Sequence, residues 1–213
     1  MAFDNGEPVG TITAIINRAA NEKTGQKQMR FGFMDFIDSD EVVDSLFEAV
    51  AQWGRERGME EMVGPVGFTD MDPEGMLIEG FDEMGTMATI YNYPYYVRHM
   101  ERLGFVKDAD WIEYRITIPD GIPEKHQRIG EIVGRKYGLK VLKYTSRKKI
   151  RREYGRAIFE LVNEAYADLY GFVPLTDRQI EHYINVYIDV LRLEDVSLVV
   201  DSKGTLVEHG ISM

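Results

Sequence analysis

The spacing of the hydrophobic residues changes at Ser39, and this change constrains the fold more than any other feature of the sequence. The run Met29 to Ile37 is apolar and has the length of a strand, whereas the residues after Ser39 place apolar side chains on one helical face up to Gly58. These side chains are Val42, Val43, Leu46, Phe47, Val50 and Trp53. A strand followed by an amphipathic helix is typical of a helix packed on a sheet. The sequence therefore predicts a strand over 29–37 and a helix over 39–57.

The rest of the first half shows further strand and helix patterns. The predicted strands are Val9 to Ile16, Glu61 to Phe68 and Trp111 to Ile118. A short helix is predicted from Tyr95 to Leu103, closed by Gly104, and polar loops are expected over 17–25 and 69–86. We expect the runs 9–16, 29–37 and 61–68 to be neighbours in one mixed sheet.

A second set of elements follows Pro119-Asp-Gly-Ile-Pro123, which interrupts the pattern strongly enough to predict a domain boundary near residue 120. Helices are predicted near 124–137, 146–169 and 176–191, and strands at 139–144, 196–200 and 205–213. We therefore expect two domains, 1–120 and 121–213. The fold class is α/β in the broad sense (α+β), a mixed β-sheet flanked by helices, in two partial modules.

Charge is distributed unevenly along the 213 residues, whose net charge is −11. Residues 1–123 contain 10 basic and 23 acidic residues, residues 124–156 contain 12 and 3, and residues 157–213 contain 3 and 10. So acidic a protein is not expected to bind nucleic acid. The basic central segment could bind an anion or contact the acidic first region. Alternatively, it is a solvated helix face whose positive charge balances that of acidic neighbours.

Other features of the composition limit the cellular compartment and the reactive groups that this protein can use. The sequence has no cysteine, which excludes disulfides, thiolate nucleophiles and cysteine-bearing metal sites. No apolar run approaches the roughly 20 residues of a membrane helix, and residues 1–10 do not resemble a signal peptide. We expect a cytoplasmic protein with no membrane partner.

The order of elements, with three local motifs, resembles the GNAT acyltransferase fold. The motifs are Gly-Glu-Pro-Val-Gly at 6–10, Trp-Gly-Arg-Glu-Arg-Gly at 53–58, and Arg-Leu-Gly-Phe at 102–105 before a strand. Residues 10–118 are similar to the later part of that fold and residues 139–213 to its early part. The chain resembles in particular a truncated tandem-GNAT protein. The apolar C-terminal strand implies either a piece of a longer protein or two partial modules that complete each other.

The resemblance implies an acyl-CoA site along the strand before the central helix, which places Phe33, Met34, Asp35, Phe36 and Ile37 at the cofactor. Acetyl-CoA or another acyl-CoA is the implied co-substrate. The family's proton-donating tyrosine corresponds to Met100, which has no proton to give. The candidate catalytic residues are therefore the nearby Tyr95, Tyr96 and His99, since a phenol or an imidazole can protonate a thiolate.

The phosphate-binding turn departs from the family pattern. The signature Gln/Arg-x-x-Gly-x-Gly/Ala is absent, and Asp38, Asp40, Glu41 and Asp44 occupy the turn. Their repulsion of a diphosphate, about 1 to 4 kcal/mol per close contact, exceeds a helix-end gain of about 0.3 to 2 kcal/mol unless a metal or a basic partner intervenes. We therefore expect this chain to bind coenzyme A weakly or not at all.

Metal binding is not expected. Residues 70–75 match the opening of a calcium loop, but position twelve is Phe81, where a bidentate glutamate is required.

Two alternative functions are predicted from these features. The chain is predicted to be a GNAT-like protein, an N-acyltransferase acting on a small amine or peptide if active. The alternative is a non-catalytic GNAT-like binding or interaction module that has lost the pyrophosphate loop. Because each partial module would expose a strand edge, we also predict association through the edges 29–37 and 205–213, either as a homodimer or as a joining of the two modules within one chain.

Overall fold

The computed structural model describes residues 1–86, 89–117 and 119–212, and it has the mixed α/β composition that the sequence predicts. The strands are β1 (Ala2–Asp4), β2 (Glu7–Ile15), β3 (Gln28–Phe36), β4 (Glu61–Val63), β5 (Lys140–Leu142), β6 (Val196–Val200) and β7 (Leu206–Ile211). The helices are α1 (Arg18–Thr24), α2 (Asp40–Arg55), α3 (Tyr95–Arg102), α4 (Glu124–Tyr137), α5 (Arg147–Ala165) and α6 (Asp177–Tyr187), with a 3-10 turn at Leu193–Asp195.

The chain forms two compact units. Unit 1 comprises Met1–Ile112 together with Tyr170–Val173, and unit 2 comprises Glu113–Leu169 together with Pro174–Met213. Within the described residues no helix has both the length and the apolar character needed to cross a membrane.

Unit 1 is built on a four-stranded sheet in the order β1-β2-β3-β4. β2 and β3 are antiparallel, whereas β3 and β4 are parallel and are joined through α2. Ser39 caps α2 by accepting a hydrogen bond from the Val42 N–H. The helix packs on the sheet through the predicted residues Val43, Leu46, Phe47 and Val50. The predicted mixed sheet and its covering helix are confirmed.

Unit 2 is built on an antiparallel sheet in the order β5-β6-β7. Its core joins α5, α6 and β6 through Ile150, Ile158, Ile184 and Leu198. Thr176 and Gln179 form a capping box at the start of α6. The helices and strands predicted for residues 124–212 are therefore present, with shorter bounds.

Three details differ from the sequence-based expectation. The segment 17–25 is not a loop but contains α1, because Asn17 accepts a hydrogen bond from the Ala20 N–H and Gly25 closes the helix at φ 72°. No strand forms at 111–117, where Trp111 and other apolar side chains are exposed, and the predicted end of that strand, residue 118, lies outside the described residues. The predicted pairing edge 29–37 is covered in part, since β4 pairs with β3 at Gln28–Arg30 and tyrosine side chains bind the backbone of Phe36.

Candidate functional site

The carboxyl end of β3 is held by two tyrosines from α3. The Tyr95 hydroxyl donates to the Phe36 carbonyl oxygen at 2.7 Å. The Tyr96 hydroxyl donates to Asp35 Oδ1 at 2.6 Å and accepts from the Phe36 N–H at 3.2 Å. The Tyr96 ring stacks on Phe36 with 4.2 Å between centroids. Side chains thus satisfy the backbone groups of Phe36, which would otherwise require a neighbouring strand.

Both phenols stay protonated at neutral pH. Burial, followed by the charges of Asp35 and Asp38, raises the pKa of Tyr95. Burial and the hydrogen bond to Asp35 raise the pKa of Tyr96. A phenol with a raised pKa donates hydrogen bonds well but gives up its proton less readily. The contacts favour a positioning role for both tyrosines, and their proton transfer stays a prediction.

His99, the third candidate catalytic residue, has no exposed surface. Its Nε2 lies 2.9 Å from Asp38 Oδ1, and the Arg98 guanidinium binds the same carboxylate. Its Nδ1 lies 3.4 Å from Asp40 Oδ1 but makes no hydrogen bond in the described chain. His99 therefore ties α3 to the turn between β3 and α2.

Arginines from α3 pair with the acidic turn. Arg102 binds two of its carboxylates, Asp44 at 2.7 Å from Nη2 and Asp40 at 3.3 Å from Nε, while Arg98 binds Asp38. The basic partner that the turn requires is thus supplied by this same chain. The repulsion expected from the sequence alone is reduced accordingly.

β3 carries a bulge at Phe33. Its register with β2 shifts between Thr11 and Thr13, and Phe33 has a φ of 47°, which is uncommon for a non-glycine residue. Beside the bulge, Gly32 lies so close to Val66 that a Cβ would meet the Val66 carbonyl oxygen at 2.7 Å. The segment that follows β4 stays hydrogen-bonded to β3 as far as Val66, whose N–H donates to the Phe31 carbonyl oxygen at 2.8 Å. Within the described residues, the backbone pairing of the two segments ends there.

The five residues predicted to bind cofactor surround this bulge and the strand end. Phe33, Asp35 and Ile37 are exposed, Met34 is partly buried and Phe36 is buried. The structure thus brings the predicted cofactor strand and the predicted catalytic residues together, because the α3 tyrosines contact Phe36.

A charged cluster that sequence reasoning missed lies beside the same strand. Arg30 is buried and donates to the carbonyl oxygens of Gly67 at 3.2 Å and Gly171 at 2.8 Å. Burial lowers its pKa, while Glu74 and Asp70 favour its charged form. Burial, reinforced by Asp70 and opposed by Arg30, raises the pKa of Glu74 to about 7. A carboxylate with that pKa can accept or release a proton near neutral pH.

Two sequence signals pointed to this cluster. Arg30 is a cation inside the apolar run 29–37, and Glu74 belongs to the acidic stretch that resembles a calcium loop. In that stretch Asp72 accepts hydrogen bonds from the Phe68 and Thr69 N–H groups at 2.8 and 2.9 Å, which closes a turn. Over the described ranges, no group of three or more histidine or carboxylate side chains is arranged to hold a metal ion.

Two curated bacterial proteins are similar to this chain in sequence. The chain is 29% identical over 193 residues to the bacterial ceramide synthase of Caulobacter vibrioides, covering 89% of this chain and 50% of that protein. It is 28% identical over 175 residues to protein YghO of Escherichia coli, covering 82% of this chain and 44% of that protein. No family model and no solved structure matches the chain. The chain thus spans about half the length of the curated relatives it matches.

Proposed function

We propose that this chain contributes the amide-forming site of a GNAT-like N-acyltransferase, which transfers an acyl group from an acyl-CoA to an amine. The observation that carries the proposal is the position of Val66 between the two parts of the site. Its N–H binds β3 next to the bulge, and on its other side it forms a β-bridge with Glu74. The bulge of β3, where Phe33 is exposed, and a carboxylate whose pKa is raised to about 7 are thus one backbone segment apart.

The similarity to a bacterial ceramide synthase supports amide formation. A ceramide is the amide of a fatty acid with a long-chain amino alcohol, so its synthesis acylates an amine. The order of β2, β3, α2 and β4, with antiparallel and then parallel pairing, supports the GNAT-like assignment. We accordingly propose a fatty acyl-CoA and a long-chain amino alcohol as substrates.

Glu74 is proposed as the general base. Its carboxylate accepts a proton from the ammonium group of the acceptor, and the free amine nitrogen attacks the thioester carbonyl carbon. The C–N bond forms, the C–S bond breaks, and the sulfur leaves as a thiolate. The new nitrogen still carries one proton more than the amide and releases it to solvent, and Glu74 returns its own proton to solvent before the next turnover. Arg30 keeps the pKa of Glu74 from rising further, which preserves a basic fraction at neutral pH.

Tyr95 is proposed to protonate the leaving thiolate, since it is less buried than Tyr96 and its hydroxyl lies at the end of β3. Because its pKa is raised, the Tyr95 phenol keeps its proton until the thiolate forms beside it. After the transfer, the phenolate regains a proton from solvent. The diphosphate of coenzyme A would meet Arg98 and Arg102 beside the α2 N-terminus.

The proposal is tested with the 213-residue chain, palmitoyl-CoA and sphinganine, by following thiol release and amide formation. Glu74→Gln should lower kcat by about 10²- to 10⁴-fold, because a general base contributes that much. Glu79→Gln, which changes an exposed carboxylate of the same loop, should leave the rate unchanged. The rate of the unmodified chain should rise with pH through about 7. Equal rates for the two variants would contradict the assignment of Glu74.

A non-catalytic binding module is the second candidate, favoured by the four acids at the phosphate turn and by the missing glycine signature. It predicts that the chain binds amines or acyl chains without cleaving thioesters. Calorimetry with sphinganine, combined with an absence of thiol release, would support this function against the first.

A further inference from the structure

Helix α4 of unit 2 exposes a complete apolar face. Ile129, Ile132, Val133 and Tyr137 recur at the spacing of one helical face, and each is between 39% and 59% exposed. No residue of α4 is buried. An amphipathic helix is normally stabilised by covering such a face, so this one lacks its partner in the described chain.

Acids of unit 2 pair with only part of the basic segment. In α5, Arg151 pairs with Asp189 and Arg156 pairs with Asp177 and Glu181, so acids of unit 2 neutralise that part of the basic segment. By contrast, no ion pair involves Lys125, Arg128 or Lys136 in the described part of the chain. Lys125, Arg128 and Lys136 of α4 are therefore available to an anionic surface.

These cations lie beside the apolar face rather than opposite it. At 100° per residue, Lys125 and Lys136 project near the two ends of the apolar stripe and Arg128 along one border, whereas Glu124 and Glu131 fall on the far side. Lysine side chains at such positions extend their ammonium groups past the apolar residues. The Lys136 ammonium already lies 5.0 Å from the centre of the Tyr137 ring.

We propose that α4 binds the surface of a bilayer that contains anionic lipids, with its apolar face in the headgroup region and its cations among the phosphates. A basic amphipathic helix with a tyrosine at its border suits that interface, and the charge complementarity favours anionic lipid over a neutral partner. The expectation of no membrane partner rested on the lack of a spanning segment, and surface binding requires none. The inference uses only unit 2 residues, so it stands apart from the proposed chemistry of unit 1.

The test is cosedimentation of the 213-residue chain with vesicles of phosphatidylcholine alone and with 30% phosphatidylglycerol. We expect binding to the anionic vesicles, weakened by salt. Ile132→Asp should reduce the partition coefficient about tenfold or more. Gln127→Asp places the same charge on the polar side of α4 and should have a much smaller effect.

A second pair of variants tests the electrostatic part. Lys125→Gln with Lys136→Gln should weaken binding about 25-fold, since each cation near an anionic surface contributes roughly fivefold. Arg178→Gln with Lys203→Gln removes the same charge elsewhere in unit 2 and should change little. Equal binding to both vesicle types, or equal effects of the matched variants, would overturn the proposal. The proposal would also be overturned if the chain bound no vesicles and formed a dimer that Ile132→Asp dissociates. That result would show that the apolar face of α4 binds a second copy of the chain.

Discussion

Asp38 and His99 are 61 residues apart in sequence, yet Asp38 Oδ1 lies 2.9 Å from His99 Nε2. The carboxylate is half exposed and the imidazole is fully buried, so the contact joins the surface turn after β3 to the inner side of α3. Arg98 binds the same carboxylate. The end of β3, the start of α2 and the whole of α3 are thereby held as one local structure, on which the candidate site depends.

Replacing His99 should therefore reduce stability. His99→Leu keeps most of the buried volume but removes the contact with Asp38, and should lower the free energy of unfolding by about 1 to 3 kcal/mol. Urea unfolding measures the change. Glu41→Gln, an exposed change in the same turn, should stay within about 0.5 kcal/mol. A His99→Leu variant as stable as the Glu41→Gln variant would show that the contact has no structural role.

The raised pKa of Glu74 predicts a pH-dependent stability. The folded chain holds this proton up to about pH 7, whereas the unfolded chain releases it near pH 4.5, so folding binds a proton between these values. The stability due to this proton is present below about pH 4.5 and is lost as the pH rises through about 7. From pH 4.5 to 7.5, the unmodified chain should lose about 1 to 2 kcal/mol more than Glu74→Gln, allowing for solvent screening of a half-buried group. If the free energy of unfolding, measured in urea, changed equally with pH for the unmodified chain and for Glu74→Gln, this prediction would be wrong.

The affinity for coenzyme A should depend on Asp40 and Asp44, the two carboxylates that pair with Arg102. Asp40→Asn with Asp44→Asn frees the guanidinium and removes two negative charges from the turn, so affinity for acetyl-CoA should rise about tenfold from a weak starting value. Isothermal titration calorimetry measures it. Glu48→Gln with Glu56→Gln removes the same charge in the later part of α2 and just after its end, and should have little effect. Loss of binding in the first variant would show that the coenzyme lies elsewhere.

Self-association is expected through β7. β7 is an edge of its described sheet, and Val207 is exposed on it. An uncovered apolar edge tends to pair with another chain. Light scattering should detect a dimer that Val207→Lys weakens and that Val190→Lys, an exposed change outside the sheet, leaves intact. A 24.5 kDa monomer at high concentration, in both low and high salt, would contradict the expectation.

The main elements of both units could be predicted from the spacing of apolar residues. The runs that became β2, β3 and α2 have a clear periodicity, and the apolar faces that the pattern specifies are the ones that pack. The structure also places Tyr95 and Tyr96 of α3 in contact with Phe36 at the end of β3. Patterns of spacing and order are local properties, so they can be read without coordinates.

The pairing and burial of the charged residues could not be read from the sequence. Arg98 and Arg102 reach the acids of the α2 turn from a helix more than fifty residues away, which turned an expected repulsion into ion pairs. Burial and the charge of Asp70 raise the pKa of Glu74 against the opposing charge of Arg30, and α4 has no buried residue in the described chain. Pairing, desolvation and exposure depend on which distant residues are neighbours, and that is set by the packing of the whole chain rather than by any local pattern.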